Sequence, residues 1–124
     1  MNVPGFLVSQ FYVKGSLRNT PEGFALQARN PMGDGALVGV GSLSVDGRPI
    51  PAAAVSARRE GDDAPIRASD VDAQRPIAVR QGDRVTLHVD GPRLPPGEHR
   101  LEVELFERNI GQLRFSVKDR LAGG

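Results

Sequence analysis

Apolar and polar residues alternate along most of this chain, and the pattern is clearest near its C-terminal third. Val85, Leu87 and Val89 fall on one face of Arg84 to Asp90, and Leu101, Val103 and Leu105 repeat the spacing. Between them lies Pro95-Pro96-Gly97-Glu98-His99-Arg100. Proline donates no ladder hydrogen bond and glycine accepts unusual dihedrals, so the chain should reverse there. The spacing predicts an antiparallel pair with one wet side and one dry side.

The same alternation recurs upstream. Phe11, Val13 and Leu17 should point inward, with Tyr12, Lys14 and Arg18 outward. Asn19 to Gly23 reads as a turn, and Phe24 to Arg29 returns, which predicts a first hairpin. Asn30 to Gly35 is a loop. Ala36 to Val45 is apolar or glycine on both faces, the pattern of a strand covered on both sides, with Gly39 and Gly41 marking a bulge or a close backbone approach. Asp46-Gly47 is a two-residue hairpin turn, and Arg48 to Pro51 should be an edge strand because two prolines would break a central ladder. Pro51 to Arg58 would tolerate a short helix. Gly61 to Pro65 and Ser69 to Asp72 read as turns around a short strand at Ile66 to Ala68, and Pro76 to Arg80 is a further strand. Leu113, Phe115 and Val117 complete the dry face.

About seven to nine short strands at this spacing predict an all-β fold, an antiparallel β-sandwich of immunoglobulin-like or jelly-roll-like form. The 124 residues allow one domain, 1–124, with 1–10 and 121–124 expected to be partly flexible. Fifteen glycines and ten prolines, spread between apolar runs, agree with many turns rather than long helices.

Charge and chemistry narrow the picture by exclusion. The net charge is +1, basic residues are dispersed among acids, and the aromatics are five Phe and one Tyr, so a nucleic-acid partner is not expected. Without cysteine there is no disulfide and no thiolate chemistry. Met1 to Gln10 lacks a basic segment followed by an apolar core, and no apolar run is long enough for a bilayer, so a cytoplasmic protein without a membrane partner is expected.

Candidate reactive groups are few. His88 lies on the polar face of its strand, opposite Glu102 if the loop closes symmetrically, and a cross-strand pair of that kind has no necessary functional role. His99 shares parity with Leu101, so it should cap the core at the sheet end, its ring bonding a loop carbonyl. The functional readings of both are contact with a partner or ligand. Asp62-Asp63 and Asp70-x-Asp72 are solvated turns without calcium-loop spacing, so no metal site is expected. No serine sits in a nucleophile elbow, and no catalytic residue is assigned in this chain. The Asn30–Leu37 loop differs from the rest. Met32 is adaptable, glycines flank Asp34, and the following strand has apolar excess, which together suggest an interface.

Ser16-Leu17-Arg18-Asn19, Gly23-Phe24-Ala25-Leu26, Leu43-Ser44-Val45-Asp46-Gly47-Arg48-Pro49-Ile50 and Leu94-Pro95-Pro96-Gly97-Glu98-His99-Arg100-Leu101 occur in an order that resembles the small β subunits of C-glycoside deglycosidases. The likeness spans Val13 to Asp119. It implies an all-β sandwich bound to a larger α subunit, a sugar-isomerase-like (β/α)8 barrel. That hetero-oligomer cleaves the carbon–carbon bond between an aromatic aglycone and a 3-oxo sugar. The resemblance also implies that the acid/base groups belong mainly to the barrel. No cofactor is then expected in this chain, and a divalent metal, manganese, is expected in the partner. The loop between the second and third strands would shape the site, which assigns Asn30, Pro31, Met32, Gly33, Asp34, Gly35 and Leu37 to the partner and substrate face. Two features depart from that family: Met32-Gly33-Asp34-Gly35 stands where an aromatic-Arg-Gly segment is common, and Arg75 to Val79 lacks the usual aromatic strand. The alternative is a free-standing carbohydrate- or ligand-binding sandwich, with Tyr12 as an exposed platform and His88 and His99 as further binding candidates.

Overall fold

The structure is a computed structural model describing residues 2–123. A 3-10 turn at Gly5–Leu7 and one helical turn, α1 (Val8–Phe11), precede ten strands: β1 (Arg18–Thr20), β2 (Gly23–Arg29), β3 (Gly35–Val45), β4 (Arg48–Pro49), β5 (Val55–Arg59), β6 (Ile66–Arg67), β7 (Ile77–Val79), β8 (Arg84–Asp90), β9 (Glu98–Glu107) and β10 (Gly111–Arg120). They form two antiparallel sheets, ordered β1-β2-β8-β5-β6 and β10-β9-β3-β4, with β7 also paired to β3. The expected β-sandwich is present, with ten strands rather than seven to nine.

The alternation correctly names the dry faces. Phe24 and Leu26 of the first sheet, with Leu87 and Val89, face Leu101, Val103, Leu113 and Phe115 of the second, and all are buried. The pairing is another matter. Arg84–Asp90 hydrogen-bonds β2 and β5, whereas Glu98–Glu107 hydrogen-bonds β10 and β3. The predicted hairpin between them does not form, and residues 91–97 instead carry the chain from one sheet to the other. An inward-facing pattern fixes which side is dry and says nothing about which strand lies alongside. The proposed His88–Glu102 pair fails with it. His88 is registered with Ala25 and Ser56, and Glu102 with Ser44 and Ser116.

The first hairpin forms, continuously from Arg18–Thr20 against Gly23–Ala25 and further down by an isolated antiparallel bridge between Tyr12 and Ala28. The Asp46-Gly47 turn adopts the mirror-image geometry expected of it, φ being 53° and 80°. β3 shifts register between Leu37 and Gly39 and again between Val40 and Leu43. There the absent side chains make room for β9: a Cβ on Gly39 would lie 3.0 Å from the Phe106 ring, and one on Gly41 would meet the Glu104 carboxylate. The strand is only partly covered on its second side, since Val38 and Val40 are half-buried and Ser42 is exposed. The alanine run yields a 3-10 turn, Ala52–Ala54, before β5.

Met1 and Gly124, within the two segments expected to be flexible, lie outside the described residues, and hydrogen bonds anchor the described residues next to them. The Val3 N–H donates to Arg114 O at 2.8 Å, Leu121 is buried, and the Leu121 and Ala122 N–H groups donate to Gly97 and Leu17 carbonyls at 2.9 and 2.8 Å.

Gly23 marks the tightest backbone approach. A Cβ there would collide with the Val89 carbonyl oxygen and lie 3.0 Å from Gly91 N, neither of which can swing away as a side chain would. Gly23→Ala should therefore cost about 1–3 kcal/mol, the range of overpacked interiors. Urea unfolding measures this directly, and an unchanged midpoint contradicts it.

Candidate functional site

The Asn30–Leu37 segment connects β2 to β3, and a single side chain gives it its shape. The Asn30 amide donates to Gly33 O and Arg80 O at 3.1 Å each and to Val79 O at 3.4 Å, while its own oxygen accepts the Met32 N–H at 3.0 Å. Its backbone exchanges bonds with the β7–β8 turn, Asn30 N–H to Asp83 O at 2.9 Å and Gly82 N–H to Asn30 O at 2.7 Å. On the far side Glu107 closes the loop end. It accepts the Ala36 N–H at 3.0 Å and the Asn109 and Ile110 N–H groups at 2.7 and 2.9 Å. Burial pushes the Glu107 carboxyl upward, yet these backbone donors outweigh it and hold the group below the usual carboxylate range. Gly35 leaves that carboxylate room, since a Cβ there would lie 2.7 Å from Glu107 Oε2.

The tethered loop holds Met32, Gly33 and Asp34 in solvent, Met32 being 47% exposed, with Pro31 half-buried behind them. Leu37 turns inward and is buried. Beneath Pro31 and Met32 lies an apolar recess of about 40 Å³, lined by Phe11, Leu37, Val79, Leu105, Ile110 and Phe115. Small-molecule pockets run to roughly 300–1,000 Å³. The recess therefore suits an inserted apolar group and is too small for a sugar ring. Met32 is the large apolar side chain presented at its mouth.

The other binding candidates lie elsewhere. Tyr12 is not an exposed platform: it is 1% exposed, and its hydroxyl donates to Asp119 Oδ2 at 2.5 Å. The helical turn Val8–Phe11 resets the strand phase, so the residue expected outside points in. Burial, then the Asp119 carboxylate, pushes the Tyr12 phenol far above its usual range. Asp119 also accepts the Gly15 N–H at 3.0 Å and the Leu17 N–H at 3.4 Å. No motif announces Asp119 as this hub, but it shares parity with Leu113, Phe115 and Val117, and a carboxylate in an inward position is itself a signal.

His99 fulfils the capping role. It is 6% exposed, Nε2 lies 2.7 Å from Pro95 O, and Nδ1 lies 2.7 Å from Asp46 Oδ2. A carbonyl and a carboxylate can only accept, so both bonds are made together only while the ring holds both protons. The Asp46 bond raises the His99 pKa above its usual value, and the Arg100 N–H followed by His99 lowers that of Asp46. His88 is half-buried on the outer face of β8, and burial, then Arg58 and Arg18, lower its pKa. The two histidines occupy different sheets and do not converge. Among the described residues no three His, Asp or Glu side chains are arranged to hold a metal ion, and no helix is long and apolar enough to cross a membrane.

Residues 7–122 match the sequence model of a family described as hydroxymethylglutaryl-CoA reductase, N-terminal domain. No curated protein matches the chain.

The His99–Asp46 bond should give stability a defined pH window. The folded His99 pKa lies above 6.5, so its contribution is complete below about pH 6.5 and disappears as pH rises through the folded value. The folded Asp46 pKa lies below 3.8, so its contribution holds above about pH 4 and is lost as pH falls through the folded value. The stability difference between the wild-type chain and His99→Gln should be widest between those limits and narrow above them. Urea unfolding at stepped pH measures it, and a gap that widens above pH 7 contradicts the assignment.

Proposed function

The chain belongs to the hydroxymethylglutaryl-CoA reductase N-terminal domain family, and on that premise we propose that it is a non-catalytic β-sandwich module that docks a larger catalytic polypeptide through its Asn30–Leu37 end. The observation that carries this reading is the fixed loop that presents Met32 at the mouth of an apolar recess. A thioether adapts to irregular apolar surfaces, and a backbone already tethered by Asn30 has little conformational freedom left to lose on association. The family description is that of one domain of an enzyme, and the deglycosidase resemblance is to the smaller chain of a two-chain enzyme. Both support reading this chain as the companion of a catalytic unit.

The finer form of the proposal is the β subunit of a C-glycoside deglycosidase-like complex in the cytoplasm. Its partner would be a sugar-isomerase-like (β/α)8 barrel that holds a divalent metal, manganese, and supplies the acid/base groups. Carbon–carbon bond cleavage in 3-oxo-C-glycosides would then occur in the barrel, with Met32, Gly33 and Asp34 lying at its rim. The free-standing glycan-binding alternative loses its anchor, because Tyr12 is interior.

Co-expression with a barrel-type protein from a neighbouring reading frame tests the proposal. The two chains should co-purify, and Met32→Asp should weaken the complex at least tenfold, about 1.4 kcal/mol, while leaving the melting temperature unchanged because Met32 is exposed. A complex indifferent to Met32→Asp, or full lyase activity from the isolated chain, would sink it.

A further inference from the structure

On the outer side of the first sheet, where Arg67 is exposed, Arg18, Ser56, Arg58 and His88 are half-buried and Ala25 and Thr86 are covered, the strand register assembles what the sequence keeps far apart. Arg18 pairs with Ala25, Ala25 with His88, His88 with Ser56, and Ser56 with Arg67. One row thus crosses β1, β2, β8, β5 and β6, with an arginine at either end and small residues flanking the histidine. Arg58, two residues beyond Ser56, shares this face and is registered with Thr86. The reverse side of the same strands is core, carrying Leu26, Ala57 and Leu87.

The arginines of this row make no ion pair among the described residues. The ion pairs among the described residues are made by Arg59, Arg75, His99, Arg100 and Arg114, and Arg18, Arg58 and Arg67 take part in none of them. Arg58 donates one hydrogen bond, to the Asp62 carbonyl at 3.1 Å, which leaves its charge unpaired. The acids that act on His88 are Asp90 on its own strand and Glu22 in the β1–β2 turn, and their pull is weaker than that of Arg58 and Arg18.

We propose that this face binds a phosphoryl-class dianion carried by a small molecule, held over His88 and Ser56 by Arg18, Arg58 and Arg67. The geometry favours that ligand. Strands lie about 4.8 Å apart, so the end arginines stand roughly 19 Å apart across four spacings. Ala25 is fully covered by its neighbours, so the ligand would rest on the half-buried His88 and Ser56, within reach of the long arginine side chains on either side. Three guanidinium groups, an imidazole and a hydroxyl offer more donors than one carboxylate can accept, and a tetrahedral group whose three terminal oxygens share two negative charges uses them. Binding also draws a proton to His88, because the dianion offsets the arginines that disfavour its charged form.

Calorimetry with inorganic pyrophosphate at low ionic strength, alongside nuclear magnetic resonance of the His88 ring, tests the site on the intact chain. The wild-type chain should bind, the His88 titration should move to higher pH when pyrophosphate saturates, and Arg18→Gln with Arg67→Gln should weaken binding at least tenfold. Unchanged amide spectra elsewhere show that the variant keeps its fold, and Met32→Asp should leave the affinity as it is, which separates this site from the docking end. Equal affinity in the double variant, or a His88 titration indifferent to pyrophosphate, overturns the proposal. An RNA oligomer that binds far more tightly than pyrophosphate also overturns it, in favour of a nucleic-acid surface.

Discussion

Two apolar sheet faces must be buried against each other, and most of the molecule follows from that requirement. Short strands rich in valine and leucine hide only one side each, so neither sheet is stable without its counterpart. The connection through Pro92, Pro95 and Pro96 serves this closure by moving the chain between layers, and a tight reversal would have left both strands in one sheet. The two register shifts in β3 serve it too, changing the strand's phase twice so that Val40, of opposite parity, joins Leu37, Leu43 and Val45 on the core side.

Where strands end, polar side chains take over the work of the ladder. Asp119 gathers the Tyr12 hydroxyl and the Gly15 and Leu17 amides, binding the N-terminal segment to β10. His99 joins the Asp46 turn to the Pro95 connection at one end of the sandwich. Asn30 joins the β2–β3 loop to the β7–β8 turn. No buried side-chain nitrogen or oxygen among the described residues lacks a hydrogen-bond partner. Loops held this way can present exposed groups such as Met32 in one arrangement, the property a docking surface needs.

The sequence made local features legible and long-range ones obscure. Alternation located the dry faces, Asp46-Gly47 its turn, Gly39 and Gly41 the bulged strand, and His99 its cap. Each of those depends on neighbours in the chain. Strand partners do not, so alternation alone sets the Arg84–Asp90 run beside the wrong neighbour. Tyr12 lies inside because four helical residues change the phase before the first strand. The row from Arg18 to Arg67 was invisible for the same reason as the pairing. Its members come from five strands, and no local pattern in the sequence sets them side by side. The candidate docking loop was legible in composition, whereas the recess beneath it needs Phe11, Val79 and Ile110 to meet in space.

The bond between the Val3 amide and the Arg114 carbonyl has a consequence for crowding. β10 is a ten-residue border strand whose outward backbone groups could template lateral stacking of one sandwich on the next. The N-terminal segment lies across its middle, and exposed Lys118 and Arg120 charge the remainder. The rim that would otherwise invite fibrils is thereby closed to them by a few residues of the same chain.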